Sequence, residues 1–306
     1  MNIFKFNPLI KNLLWGREIW LLSGVDGNET TVAEGPYRGQ ALNLLVAQMK
    51  DRLVGKANYG RFGNHFPLLI KLIEARQDLS VQVHPNDETA HRHGKPMGKT
   101  EMWYVMPSEP GAKLYSGLCQ AIDPEAFQQM VERKTISHAL AQYEVSEGDV
   151  FFIPAGRVHA IGAGCTVAEI QQTSDVTYRI YDYDRLDGNG CLRTLHVAQA
   201  AECIDYTVSE NYRTLYSPQT NEPVTVVDCP FFTTKVVDVC GQALLDYSRL
   251  DSFVILIAVK GKGYVSVGDQ VMTMADGQAL LLPATAKKAV VTGHLRLLET
   301  SVQRPS

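Results

Sequence analysis

No stretch of this chain is apolar for long enough to cross a bilayer: the longest run, Val254 to Val259, is far short of the roughly 20 residues that a membrane helix needs. The N-terminal MNIFKFNPLIKNLLWGREIW is broken by Lys, Asn, Pro and Arg and lacks the apolar core of a secretory signal, so the expected location is cytoplasmic. CxxC pairs are missing too. The six cysteines (Cys119, Cys165, Cys191, Cys203, Cys229, Cys240) are scattered singly, which argues against zinc-thiolate sites and a disulfide framework and leaves reduced thiols. Nor is there an excess of positive charge. With 29 Lys and Arg against 33 Asp and Glu, net −4, neither nucleic acid nor a membrane surface is expected as a partner, although one local basic pocket is compatible with that balance.

What is present is an ordinary globular composition, 45% apolar and 20% charged, over 306 residues, enough for about two domains. Short runs rich in Val, Ile, Tyr and Phe, punctuated by glycine and proline, indicate a mainly β fold. Two helices are predicted. One spans Ala41 to Leu53, with Leu42, Leu45, Val46, Met49 and Leu53 on one stripe; the other spans Pro124 to Arg133, capped by Asp123. A shorter helical turn is expected after Pro85, where Asn86, Asp87 and Glu88 suit an N-terminus.

The chain also echoes itself. Gly148-Asp-Val-Phe-Phe-Ile-Pro154-Ala155 and Gly277-Gln-Ala-Leu-Leu-Leu-Pro283-Ala284 share a turn glycine, a buried run and a strand-ending proline at identical spacing. Two antiparallel jelly-roll barrels explain the echo, with a first domain over 1–205 that includes peripheral helices and a second over 206–306. The copies differ where chemistry would sit: Pro154 is followed by Ala-Gly156-Arg-Val-His159, Pro283 by Ala-Thr-Ala-Lys-Lys. The second barrel is therefore expected to lack metal ligands.

In Leu79-Ser80-Val81-Gln82-Val83-His84, side chains alternate faces, so Ser80, Gln82 and His84 project together, away from Leu79, Val81 and Val83. The same alternation in Lys99-Thr100-Glu101-Met102-Trp103 puts Lys99, Glu101 and Trp103 on one face. With His159, the set Gln82, His84, Glu101 and His159 offers two imidazoles, a carboxylate and an amide oxygen, donors that suit a borderline metal such as zinc. His91 and His93 have metal-like spacing as well, but their charged surroundings read as a solvated loop. Lys71, inside the apolar run LLIKLI, needs either a snorkelling path or an anion.

Gly148-x5-Pro154-x-Gly156-x2-His159 resembles the second cupin motif, with Ala163 standing where that motif usually has Asn. The wider set LLIKLIEARQDLSVQVHPND, GKTEMWYVM and HAIGAGCTVAEIQQTSDVTYRIYDYDR is similar to the type I phosphomannose isomerases, and the likeness extends from NPLIKNLLWG to KGKGYVSVGD. The resemblance implies two cupin barrels and one zinc per chain on Gln82, His84, Glu101 and His159. It also implies roles toward a small phosphosugar for Lys71, Ser80, Lys99, Glu169, Asp175 and Arg179. Of these, Lys71 and Ser80 would bind substrate, Lys99 would serve ring opening or contact the C1 or C2 oxygen, Arg179 would anchor the phosphate or a nearby oxyanion during catalysis, and Glu169 and Asp175 are both candidate bases. After Arg179 the chain departs from the longer members, which carry Gly-x-Thr-Pro-Lys where this sequence has Ile-Tyr-Asp-Tyr-Asp-Arg.

The reaction implied is the interconversion of mannose 6-phosphate and fructose 6-phosphate by proton transfer through an enediol-like intermediate. Two alternatives use the same residues: an iron oxygenase built on His84, Glu101 and His159, and a non-enzymatic sugar-binding cupin. Gln82 as a fourth ligand and the cations Lys71, Lys99 and Arg179 favour the phosphosugar enzyme.

Overall fold

The computed structural model describes residues 3–302. Strands dominate, accompanied by six short helices among the described residues. No helix there is long and apolar enough to cross a membrane. The chain packs as two compact units: one of Met1–Leu9, Ile19–Lys71 and Leu215–Ser306, the other of Ile10–Glu18 and Leu72–Thr214. Of the expected domain 1–205, Ile10–Glu18 stays with Leu72–Thr214, whereas Ile19–Lys71 groups with the C-terminal strands, as does Phe4–Asn7, which pairs with Ala279–Leu282 on one side and with Thr31–Val32 on the other.

The first unit is built on an eight-stranded antiparallel sheet dominated by three 14-residue strands, Thr233–Asp246, Val254–Val267 and Lys288–Ser301. Val237, Leu245, Leu256, Val265, Leu280, Val291 and Leu297 turn inward as its core. The apolar run Val254 to Val259 continues through Gly263 to Val267 as one strand, with a bulge between Ala258 and Lys260. Beside the bulge, Gly241, Gly293 and Gly263 lie side by side across the three strands, and a Cβ on Gly263 would come within 2.3 Å of the Thr292 carbonyl oxygen. Mid-strand glycines packed so closely are a means by which long strands change direction.

The helix predicted over Ala41 to Leu53 is broken. Leu42–Met49 and Asp51–Val54 are separated by Lys50, whose φ is +53°. The apolar stripe survives the break, since Leu42, Leu45, Val46, Leu53 and Val54 are all buried. Periodicity fixed which side chains face inward but carried no signal for a residue in a left-handed conformation.

The second unit is a sandwich of open antiparallel paths in the jelly-roll manner. Its five-stranded sheet runs Leu140–Glu144, Lys113–Leu118, His159–Ile161, Val81–Val83, Tyr178–Tyr181. A seven-stranded sheet carries in adjacent positions Arg213–Thr214, Val150–Ile153, Glu101–Val105 and Thr166–Gln172. Trp103, Val105, Leu114, Phe151, Ile153, Ile161 and Val167 form one core. On its other face the five-stranded sheet packs Val81, Val83, Ala160 and Ile180 against Phe127 and Ala200 of the helices Pro124–Glu132 and Val197–Cys203. The first of these helices starts as predicted, with the Asp123 side chain accepting from the Ala126 N–H. The turn after Pro85 is the helix Asp87–Arg92, capped by Asn86.

The echo is visible in the hydrogen bonding. Gly148 N–H donates to the Val105 carbonyl and Gly277 N–H to the Ala258 carbonyl, each at 2.9 Å, and both glycines have positive φ. In each copy the following residue closes a turn onto the residue three before it, Asp149 on Ser146 and Gln278 on Ala275.

Candidate metal centre

Strand register assembles the site. His159 lies opposite Gln82 on one side and Ser116 on the other, and Gln82 lies opposite Arg179. Cross-strand partners share a face, so Ser116, His159, Gln82 and Arg179 form a row on the face opposite Val81 and Val83. In the other sheet Glu101 lies opposite Gln171 and Trp103 opposite Glu169. His84 follows its strand directly, and Lys99 precedes the Glu101–Val105 strand.

These rows bring His84, Glu101 and His159 together, all buried, with one potential ligand atom from each within 4.8 Å of the others. Glu101 Oε2 is 3.4 Å from His84 Nε2, and Oε1 is 3.5 Å from His159 Nε2. Four ligands about 2.05 Å from a tetrahedral zinc would lie about 3.3 Å from one another, so these spacings fit a metal with little rearrangement. Gln82 Nε2 donates to His159 Nε2 at 3.3 Å, and a half-turn of its amide presents the oxygen in the same place.

The imidazole tautomers are set for coordination. His159 Nδ1–H donates to the Arg157 carbonyl at 2.8 Å, which leaves the Nε2 lone pair toward Glu101. His84 Nε2 accepts from Lys99 Nζ at 3.0 Å, while its Nδ1 has no partner. Lys99 Nζ also stands 2.5 Å from Glu101 Oε2 as an ion pair, while Glu101 Oε1 is a buried acceptor without a hydrogen-bond donor. An orphaned acceptor of this kind is what a cation at the centre would satisfy.

Burial pushes the Glu101 carboxyl up, but Lys99 and the two imidazoles outweigh it and hold the group well below the usual carboxylate range. Burial, then Lys99, pulls His84 down to about 3, and burial lowers His159 as well. Both imidazoles are thus neutral in the fold, while the unfolded chain takes up protons below about pH 6.5; stability therefore rises with pH in that range. Acidifying metal-free protein from about pH 6.5 should cost up to about 1.4 kcal/mol per pH unit for each histidine, and for His84 the loss should continue toward pH 3. Urea midpoints across this range check the slope.

Gly156 ties the two histidine segments together, its N–H donating to the His84 carbonyl at 2.9 Å. Its φ is +92°, and an added Cβ would lie 2.9 Å from the Cys203 carbonyl oxygen. Gly156→Ala should cost about 1–3 kcal/mol of stability, read as a fall in the thermal midpoint.

The remaining candidates are placed as follows. Ser80 is buried and its hydroxyl donates to Gln82 Oε1 at 3.4 Å. Glu169 is held by the Trp103 indole N–H at 3.0 Å and stands 3.9 Å from Lys99 Nζ. Arg179 donates to the Thr194 carbonyl at 2.8 Å. Asp175 is exposed, on a cleft of about 720 Å³ lined also by His93, Lys95, His196 and Glu202. Lys71 is buried in the strand Leu68–Ala75 of the seven-stranded sheet, with its ammonium 5.0 Å from the Trp20 ring centre. His91 is exposed and engages the Pro96 carbonyl, and His93 contacts the Tyr178 hydroxyl and Glu202. Ser116 and Gln171 went unnoticed in the sequence, since neither stands in a ligand-like pattern; strand register alone brings them in.

Residues 4–146 match the model of the phosphomannose isomerase type I catalytic domain, and residues 222–302 the mannose-6-phosphate isomerase cupin domain. Mannose-6-phosphate isomerase ManA of Bacillus subtilis is 34% identical, covering 91% of this chain and 92% of its own length. The chain belongs to the type I phosphomannose isomerase family. A second family member, the mannose-6-phosphate isomerase of Streptococcus mutans, is 33% identical over 92% of this chain and 87% of its own. The crystal structure of the mannose 6-phosphate isomerase from Bacillus subtilis superposes with a TM-score of 0.88 at 28% identity, covering 98% of this chain and 99% of that one. A zinc-bound mannose 6-phosphate isomerase, at 15% identity and a TM-score of 0.78, shares the phosphomannose isomerase fold over 99% of this chain and all of its own.

Proposed function

We propose that this protein is a zinc-dependent isomerase that interconverts mannose 6-phosphate and fructose 6-phosphate. The observation that carries the reading is the convergence of His84, Glu101 and His159 with Lys99 in one buried cluster, in a member of this family. His84, His159 and Glu101 would hold the zinc, with Gln82 as fourth ligand. The bound ion supplies Lewis-acid stabilisation for negative charge on the sugar oxygens.

The chain's own groups do the rest. Lys99 Nζ is positioned to donate to the sugar oxygen at C1 or C2, first as the ring opens and then as the oxyanion develops. A base removes the C2 proton to give an enediol, and protonation at C1 completes the ketose. We assign that base to Glu169, oriented by the Trp103 indole N–H and near Lys99, and not to Asp175, which is exposed on the other cleft. Arg179, one strand away from Gln82, faces the phosphorylated end of the substrate.

Incubation with mannose 6-phosphate and zinc in heavy water tests the reaction. Fructose 6-phosphate should appear with solvent deuterium at C1. Failure of any ketose phosphate to form would overturn the assignment, and product free of deuterium would replace the enediol by a hydride shift.

A further inference from the structure

Two arginines share one carboxylate where the five-stranded sheet ends, and a third, Arg179, stands near enough to feel all three charges. Asp182, buried just after the Tyr178–Tyr181 strand, accepts from Arg185 Nη2 at 2.5 Å and from Arg193 through two contacts, Nε at 2.6 Å and Nη2 at 2.5 Å. Arg185 is otherwise spent on the Asp182 and Asp78 carbonyls. Arg193 has no acceptor for Nη1 among the described residues. Arg179 keeps a buried Nε without an acceptor, its Nη1 being held by the Thr194 carbonyl.

Arg185 and Arg193 on one carboxylate, with Arg179 nearby, put three guanidinium groups against a single paired acid in a chain that is acidic overall. Their repulsion is felt within the cluster: burial, then the charge of Arg193, lowers the hold of Arg179 on its proton. Of the other acids close by, Asp184 is paired with Lys134 at 2.7 Å and Asp78 accepts through Oδ1 from the Ala163 N–H at 2.8 Å. An arrangement that satisfies its own carboxylate and still presents free guanidinium donors is suited to an external dianion.

We infer that Arg193 and Arg179 together seat the phosphate of a sugar phosphomonoester, with Asp182 as the clamp that positions Arg193. The inference rests on the isomerase reading for the identity of the sugar, and on the arginine cluster for the anion. A phosphomonoester carries close to two negative charges at neutral pH, which matches the excess. Distance agrees as well. Arg179 is two strand spacings from His159, about 9–10 Å, a separation that an open-chain hexose phosphate spans from its carbonyl end to its phosphate.

The test uses zinc-loaded full-length protein with mannose 6-phosphate as substrate and inorganic phosphate as competitive inhibitor. Arg193→Ala should raise both KM and the inhibition constant for phosphate tenfold or more, with zinc content unchanged and kcat falling less than KM rises. Asp182→Asn should move both constants in the same direction by a smaller factor. A merely structural Arg193 would lower thermal stability, kcat and zinc content together and leave the phosphate constant alone. Should Arg193→Ala fail to fold, Arg193→Lys decides, because it keeps the charge but loses the fork and should still weaken phosphate severalfold. KM and phosphate inhibition within twofold of the parent would overturn the inference while the isomerase stands. If the parent instead fails to isomerise mannose 6-phosphate yet binds phosphate through Arg193, the anion seat stands and the isomerase reading falls.

Discussion

His84→Ala and His159→Ala should each lose zinc and at least about a thousandfold in turnover, because each removes one of the ligands that hold the Lewis acid. Both losses should appear together. His91→Ala is the control: its ring is exposed and engages only a backbone carbonyl, so metal content and turnover should match the parent. Metal analysis beside an isomerase assay reads all three variants. Zinc lost from His91→Ala, or retained by the other two, would place the metal elsewhere.

Unphosphorylated mannose should be used at least about a thousandfold less efficiently than mannose 6-phosphate, because without the phosphate the site's guanidinium groups stay partly desolvated and unpaired. Arg179 is half-buried, with a buried Nε that lacks an acceptor, so the penalty falls on a group that water compensates poorly. Arg179→Lys keeps the charge and loses the planar fork. Losing a charge-assisted hydrogen bond costs roughly 1.5 to 3 kcal/mol, so kcat/KM should drop about tenfold to a hundredfold with zinc retained. Equal kcat/KM on the two sugars, or a fully active Arg179→Lys, would remove the phosphosugar assignment and leave the fold untouched.

The centre was legible in the sequence because a strand writes its faces in alternate residues. Ser80 and Gln82 separate from Val81 and Val83 by that rule alone, and Glu101 joins Trp103 by the same rule. The Gly148 and Gly277 echo was legible for a related reason, since a turn glycine and a strand-ending proline are local devices. Features that depend on distant parts of the chain were not. The pairing of Phe4–Asn7 with Ala279–Leu282 joins residues at opposite ends of the sequence, and nothing in either segment names its partner. Arg185 and Arg193 meet at Asp182 only because the intervening loop doubles back, with Leu186 bridging to Leu192. Asp175 looked equivalent to Glu169 as a base; it lies in the connection after the Thr166–Gln172 strand and is exposed, whereas Glu169 is inside that strand and buried.

Zinc titrated into metal-free protein, with mannose 6-phosphate isomerisation followed at each addition, tests the link between the buried triad and the reaction most directly. Activity should rise in proportion to added zinc and level off at one ion per chain. Isomerisation that persists in fully chelated protein, or stoichiometric iron with no activity after reconstitution with zinc, would contradict it.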